Sequence, residues 1–269
     1  MIRILNKCLA PLGVFLMLST LGIAGIASAT PDINSAVLNT RIFDDCFTST
    51  LTTNNSYPAS ISINDNWNCS TGFANLHNWR FSSDGATSQN FENDDSFSFS
   101  ATLVISGSGN GESGLGISPW WSQNVDGRIN VRTTDGEIAC FGGRLPFYSF
   151  TGSNGITYTK GNPITIEVTY LANGNSMASP ATIQYDINYL GNDYSSGALA
   201  FDEGNPSEDP PYGLWGMLND AQAGGFVQVF IGGAPNSLDA TWTDIKFTNL
   251  KVPNATESSS WGKVKGLFR

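Results

Sequence analysis

Beyond residue 30, hydrophobic and polar residues alternate with a period of two in one segment after another. Phe97, Phe99, Ala101, Leu103 and Ile105 alternate with Ser and Thr. Ile164, Ile166, Val168 and Tyr170 do the same against Thr165, Glu167 and Thr169, and Ile183, Tyr185, Ile187 and Tyr189 against Gln184, Asp186 and Asn188. A period of two places successive side chains on opposite faces, so each segment predicts a strand with one buried face. Residues 226–231 are apolar almost throughout, which predicts a central strand covered on both sides. Between Ala240 and Leu250 the alternation slips phase near Asp244, which predicts a bulge. Clusters of Gly, Asn, Asp and Pro separate the segments, and no helix is predicted before the last residues. About ten to twelve strands without an internal repeat predict an all-β, two-sheet antiparallel sandwich, and the length favours a large jelly roll over an immunoglobulin-like domain.

The two ends of the chain differ from this pattern. Residues 1–29 carry Arg3 and Lys7, then an apolar run over 9–26, then Ala27, Ser28 and Ala29, the order of a secretory signal peptide. Residues 30–252 are then the sandwich domain, secreted or held at the cell surface, with no membrane span after cleavage. In residues 253–269 a Ser258-Ser259-Ser260 linker precedes Trp261, Lys263, Val264, Lys265, Leu267 and Phe268, a short basic amphipathic tail suited to a surface or sorting partner. With 13 Lys and Arg against 23 Asp and Glu, a formal net charge of −10, the chain lacks the basic footprint that nucleic acid requires. One histidine, His77, leaves little scope for imidazole catalysis or His-rich metal sites. Beyond the leader stand Cys46, Cys69 and Cys140. In an oxidising compartment an odd count implies one bridge and one thiol. Cys46 and Cys69 flank the turn signals Asn54, Asn55 and Tyr57-Pro58 and suit a bridge across neighbouring strands, while Cys140 reads as a buried small side chain.

Three blocks set in this order carry a family likeness: an early Ile42-Phe43-Asp44-Asp45, a late Pro211-Tyr212-Gly213-Leu214-Trp215-Gly216-Met217-Leu218-Asn219, and a closing Trp242-Thr243-Asp244-Ile245-Lys246-Phe247. Over residues 41–250 the layout resembles the concanavalin A-like lectin and glucanase superfamily of jelly rolls. The block from Gly114 to Arg144 also resembles part of a group of uncharacterised secreted bacterial proteins. The superfamily resemblance implies a structural Ca2+ near the paired terminal strands, with Asp244 and Asp45 (or its neighbour Asp44) at the matching positions. It also implies that Trp215 and Asn219 approach the concave face. The acidic Glu-x-Asp-x-x-Glu strand of family 16 glycoside hydrolases does not occur, and His77 stands in Asn75-Leu76-His77-Asn78 rather than in the Gln-x-His strand of jelly-roll alginate lyases.

Several residue sets offer chemistry. Arg128, Asn130 and Arg132 alternate with Ile129 and Val131, so one face of that strand presents two guanidinium groups and an amide to sugar hydroxyls or uronate carboxylates. Salt bridges to neighbouring acidic strands are the alternative use of the same arginines. Trp120 and Trp121, after Pro119, are candidate ring-stacking residues for a pyranose. Glu137, Glu167 and Asp186 are the candidate catalytic carboxylates, because glycoside hydrolysis needs two carboxyl groups about 5 to 9.5 Å apart. Asp126 and Asp135 precede glycines and read as turn residues. The acidic stretch 202–209 has the hard oxygens calcium takes, or is a solvated loop. The function expected is a secreted, non-catalytic, lectin-like protein for an extracellular glycan. A divergent polysaccharide hydrolase or lyase and a structural or adhesive surface protein are the alternatives.

Overall fold

The computed structural model describes residues 32–118, 126–201 and 215–250. These form fourteen strands and one helical turn: β1 Ser35–Asp44, β2 Thr50–Ser56, β3 Ser60–Trp67, β4 Ala74–Ser82, β5 Phe97–Ser106, β6 Asn110–Ser118, β7 Gly127–Arg132, β8 Ile138–Phe141, β9 Tyr148–Ser149, α1 Phe150–Asn154, β10 Ile164–Leu171, β11 Thr182–Tyr189, β12 Asn192–Ala200, β13 Gln222–Phe230 and β14 Asn236–Asn249. The leader, Trp120 and Trp121, the acidic stretch 202–209 and the tail 253–269 lie outside the described residues.

The strands make two seven-stranded antiparallel sheets. The front sheet runs β1-β4-β13-β6-β7-β8-β9 and the back sheet β12-β11-β10-β5-β14-β3-β2. Neighbours such as β4 with β13, or β5 with β14, are distant in sequence, the signature of a jelly roll. The alternating segments behave as their pattern dictates: Phe97, Phe99, Ile164, Ile166, Ile183 and Tyr185 all point into the core between the sheets. The core is strongly aromatic. Trp79 meets Phe81 and Trp242 edge-on, with ring centroids 5.2 and 6.0 Å apart, and Phe91 lies 4.7 Å from Phe97. Gly225 makes room for this contact, since a Cβ there would stand 2.3 Å from the Trp79 indole nitrogen.

Front-sheet strands β4 and β13 are covered on both faces, β4 along its whole length. The phase slip near Asp244 is a register shift in β14 between Thr243 and Lys246, with Asp244 at a φ of 52°. Cys46 and Cys69 form the disulfide, and Cys140 is a buried thiol. Asp126 departs from its reading as a turn residue. It is fully buried, its backbone oxygen accepts from Arg144 N and Leu145 N, and its Oδ1 accepts from Leu218 N. The Asp-Gly pair marks a bend here, but the surrounding segments close over the side chain. Among the described residues no helix is long and apolar enough to cross a membrane.

Candidate functional site

Because side chains alternate, the residues of the front sheet that do not enter the core line up across its outer face in rows fixed by register. One row reads Arg80 on β4, Gly224 on β13, Gly116 on β6, Arg128 on β7 and Phe141 on β8. The next reads Asn78, Phe226, Gly114, Asn130 and Ala139. Then come Leu76, Gln228, Glu112 and Arg132, and finally Ala74, Phe230 and Asn110. Gly224 and Gly116 sit side by side as a two-strand floor without side chains, between Arg80 and Arg128. Glycine is required at Gly224, where a Cβ would lie 2.1 Å from the Trp79 carbonyl oxygen.

The arginines of this face are engaged within the chain. Arg128 donates to Glu112 Oε2 at 2.8 Å, and its guanidinium lies over the rings of Phe141 and Phe226 at 4.9 and 5.3 Å. Burial lowers the Arg128 pKa while Glu112 opposes that shift. Arg132 grips Asp135 through two nitrogens and reaches Glu137 at 2.8 Å and Glu112 at 3.9 Å. The hydrogen bond to Asp135 raises the Arg132 pKa, and Asp135 is held down to about 2. Salt bridging is thus how both arginines are used, and Glu137 is an ion-pair partner. Arg80 is buried, which lowers its pKa to about 9.

Asn130 differs from all of these. It is fully buried, and among the described residues neither its amide nitrogen nor its amide oxygen has a hydrogen-bond partner. A buried amide left unsatisfied at both ends costs on the order of 1–3 kcal/mol per group, which marks a side chain kept for a purpose other than stability.

The back sheet holds the second candidate. Glu167 and Asp186 face each other directly across β10 and β11. They line one groove of about 400 Å³ together with Thr165, Asn188, Asp193 and Tyr194. Gln184 donates to both Asp186 oxygens, and Asn188 donates to Asp193.

Other expected residues do not converge. Asp45 Oδ2 accepts from Phe73 N and Ala74 N, beside the start of β4, whereas Asp244 is exposed where β14 passes Ser60 at the start of β3. Asp65, near the other end of β3, bonds Asn75 of β4, so the two aspartates sit at opposite ends of the sandwich and do not fit one Ca2+. Among the described residues no three His, Cys, Asp or Glu gather as a metal site. Asn219 is exposed and accepts from Asn93 N, and the Trp215 carbonyl accepts from Ala181 N. His77 is buried between the sheets: Arg41 N–H donates to Nδ1, so the ring proton sits on Nε2 and points at Asp65, 3.1 Å away. Burial alone would raise the Asp65 pKa, but hydrogen bonds from His77, Ser49 and Asn75 hold it below the usual carboxylate value.

Arg80, Glu112, Gln228 and Phe226 also belong to the front face, and none of them stands out in the sequence as a site residue. The available signal was the alternation of Gly114 and Gly116 with Leu115 and Ile117, a strand whose second face is bare backbone.

The fold and this face define an all-β, two-sheet jelly roll with a polar strip on one sheet. Among solved structures the chain is similar to a family 7 alginate lyase in complex with substrate, at 9% identity and TM-score 0.44, covering 75% of this chain and 82% of that one. It is similar also to the carbohydrate recognition domain of Emp47p, at 12% identity, TM-score 0.43 and coverage of 82% and 94%. A seed lectin of Lotus tetragonolobus gives 10% identity, TM-score 0.39 and coverage of 82% and 96%. These are concanavalin A-like jelly rolls. No protein-family model and no curated protein matches the chain.

Proposed function

We propose that this is a secreted, non-catalytic carbohydrate-binding protein that takes an extracellular glycan on the outer face of the front sheet. The observation that carries the reading is Asn130: among the described residues its amide has one orphan donor and one orphan acceptor, which sugar hydroxyls, each able to donate and accept, would satisfy together where the Arg128–Glu112 pair that crosses its row opens. Asn78 in the same row and Gln228 in the next add buried amides. Arg128 and Arg132 are already paired with carboxylates, so the face suits a neutral, hydroxyl-rich chain. The Cys46–Cys69 bridge fits an oxidising compartment.

The test is Asn130→Leu, assayed by calorimetry against laminarin, xylan, glucomannan and alginate oligosaccharides. We expect wild-type protein to bind at least one neutral probe, and the variant to lose about tenfold or more in affinity. Its melting temperature is expected to stay level or rise, because the orphan amide is gone. Equal binding by the variant, or silence of the wild type toward every probe, contradicts the reading.

A second reading, a divergent polysaccharide hydrolase, is favoured by one observation: Glu167 and Asp186 are cross-strand partners lining the same groove.

A further inference from the structure

On the outer face of the back sheet the carboxylates are not compensated as they are on the front. Glu112, Asp135 and Glu137 each meet an arginine, whereas Glu167, Asp186 and Asp193 meet none among the described residues. Glu167 and Asp186 face each other directly across β10 and β11. Like charges opposite one another in a cross-strand pair destabilise it, so a cation lodged between them would strengthen the pairing. None of the described residues lining this groove is Lys or Arg. Lys246 shares the row of Glu167 but lies two strands away, on β14. At the rim Leu190, 65% exposed, stands in the turn between β11 and β12, two residues past Asn188 of the groove.

The chain carries the matching cations itself. Lys251, Lys263, Lys265 and Arg269 are four of its 13 Lys and Arg, and residues 251–269 hold one acidic residue, Glu257. That segment is joined to the same sheet. Leu250 N–H donates to Ser96 O, and Asn249 of β14 pairs with Phe97 of β5, which pairs with Tyr170 of β10. Glu167 is three residues from Tyr170, so it lies about 10 Å along the strand and about 10 Å across the sheet from Asn249. Extended chain from Leu250 to Lys263 reaches about 40 Å, which leaves length for the reversal that Pro253-Asn254 favours. A tether of this kind holds its end at a local concentration in the millimolar range, far above that of a free cationic partner.

We propose that the groove over Glu167, Asp186 and Asp193 is an intramolecular docking site for the basic segment 261–269. Held extended, the segment projects Lys263, Lys265 and Leu267 to one side, the lysines against the carboxylates and Leu267 toward Leu190. Docking covers the carboxylates and withholds the segment from other partners. The attraction is between charges at the surface, so it weakens as salt rises. The proposal does not depend on the glycan reading of the front face.

The experiment attaches a nitroxide spin label to Ser260→Cys in the 15N-labelled processed chain, residues 30–269, and reads the broadening of backbone amides. Cys140 is buried and the other two cysteines of that chain are bridged, so the label goes to residue 260. Broadening at Glu167, Asp186, Asn188 and Asp193 is expected to exceed that at Gly114 and Gly116 of the front sheet about fivefold or more. The excess is expected to vanish in about 1 M sodium chloride and in Glu167→Gln/Asp186→Asn. In the chain without the spin label, Lys263→Glu/Lys265→Glu should shift the same groove amides and leave the front sheet unmoved. Even broadening of both sheets overturns the proposal, as do an excess that survives salt or the neutral variant and groove amides that ignore the lysine substitutions. A mixture of spin-labelled chain with 15N-labelled chain lacking the spin label separates the last case: groove broadening as strong there as in the single-chain sample assigns the groove to a second copy and overturns intramolecular docking.

Discussion

A carboxyl group enclosed by protein with a single hydrogen bond is a weak acid, and Asp126 is placed in that way. Burial raises its pKa to about 7, against the smaller opposing effects of the Leu218 N–H and of Arg144. Its Oδ2 has no hydrogen-bond partner among the described residues. In the unfolded chain the same group ionises near 3.8. The folded state therefore holds a proton that the unfolded state releases, and the stability this contributes is complete below about pH 4 and lost as pH rises through about 7. Asparagine keeps the Oδ1 acceptor for Leu218 and cannot ionise. Asp126→Asn is expected to be more stable than wild type at pH 8, on the order of 2 kcal/mol by urea denaturation, with the difference vanishing near pH 4. A wild-type advantage at pH 8 would show that the charged form is the one the fold prefers. Asp65 acts in the opposite sense: its lowered pKa contributes stability above the unfolded value that is lost as pH falls through the folded one.

At the scale of the strand, glycines at facing positions decide which layers can touch. A Cβ on Gly225 would meet the indoles of both Trp79 and Trp242, at 2.3 and 2.9 Å. Gly225→Ala must push apart the ring pair that joins the two sheets, so we expect a loss of about 1–3 kcal/mol in chemical denaturation. An unchanged midpoint would mean that the pair is not a tight contact. The strands themselves were legible in the sequence. The alternation in β5, β10 and β11 names their buried faces correctly, and the slipped phase at Asp244 is a real register shift. The outward ladder of Arg128, Asn130 and Arg132 was also visible, because it depends only on a period of two. What they touch was not, since the pairing with Glu112 is set by the register of β6 against β7. Asp45 and Asp244 were separated by strand direction for the same reason. Nor was it visible that Asn75 and His77 of β4 find their partner, Asp65, on the other sheet.

The whole molecule is a sandwich with two unlike outer surfaces. The front face carries a strip of orphaned and paired polar groups that ends in exposed rings, and the back face carries an acidic groove. The front strip is the proposed glycan site. It is tested most directly by mapping backbone amide shifts in the nuclear magnetic resonance spectrum as an oligosaccharide is titrated in. The largest changes are expected at Gly114, Gly116, Asn130, Phe226 and Gln228, with the back sheet unmoved. Changes confined to Thr165, Glu167, Asp186 and Tyr194 would contradict it and assign the sugar to the carboxylate groove.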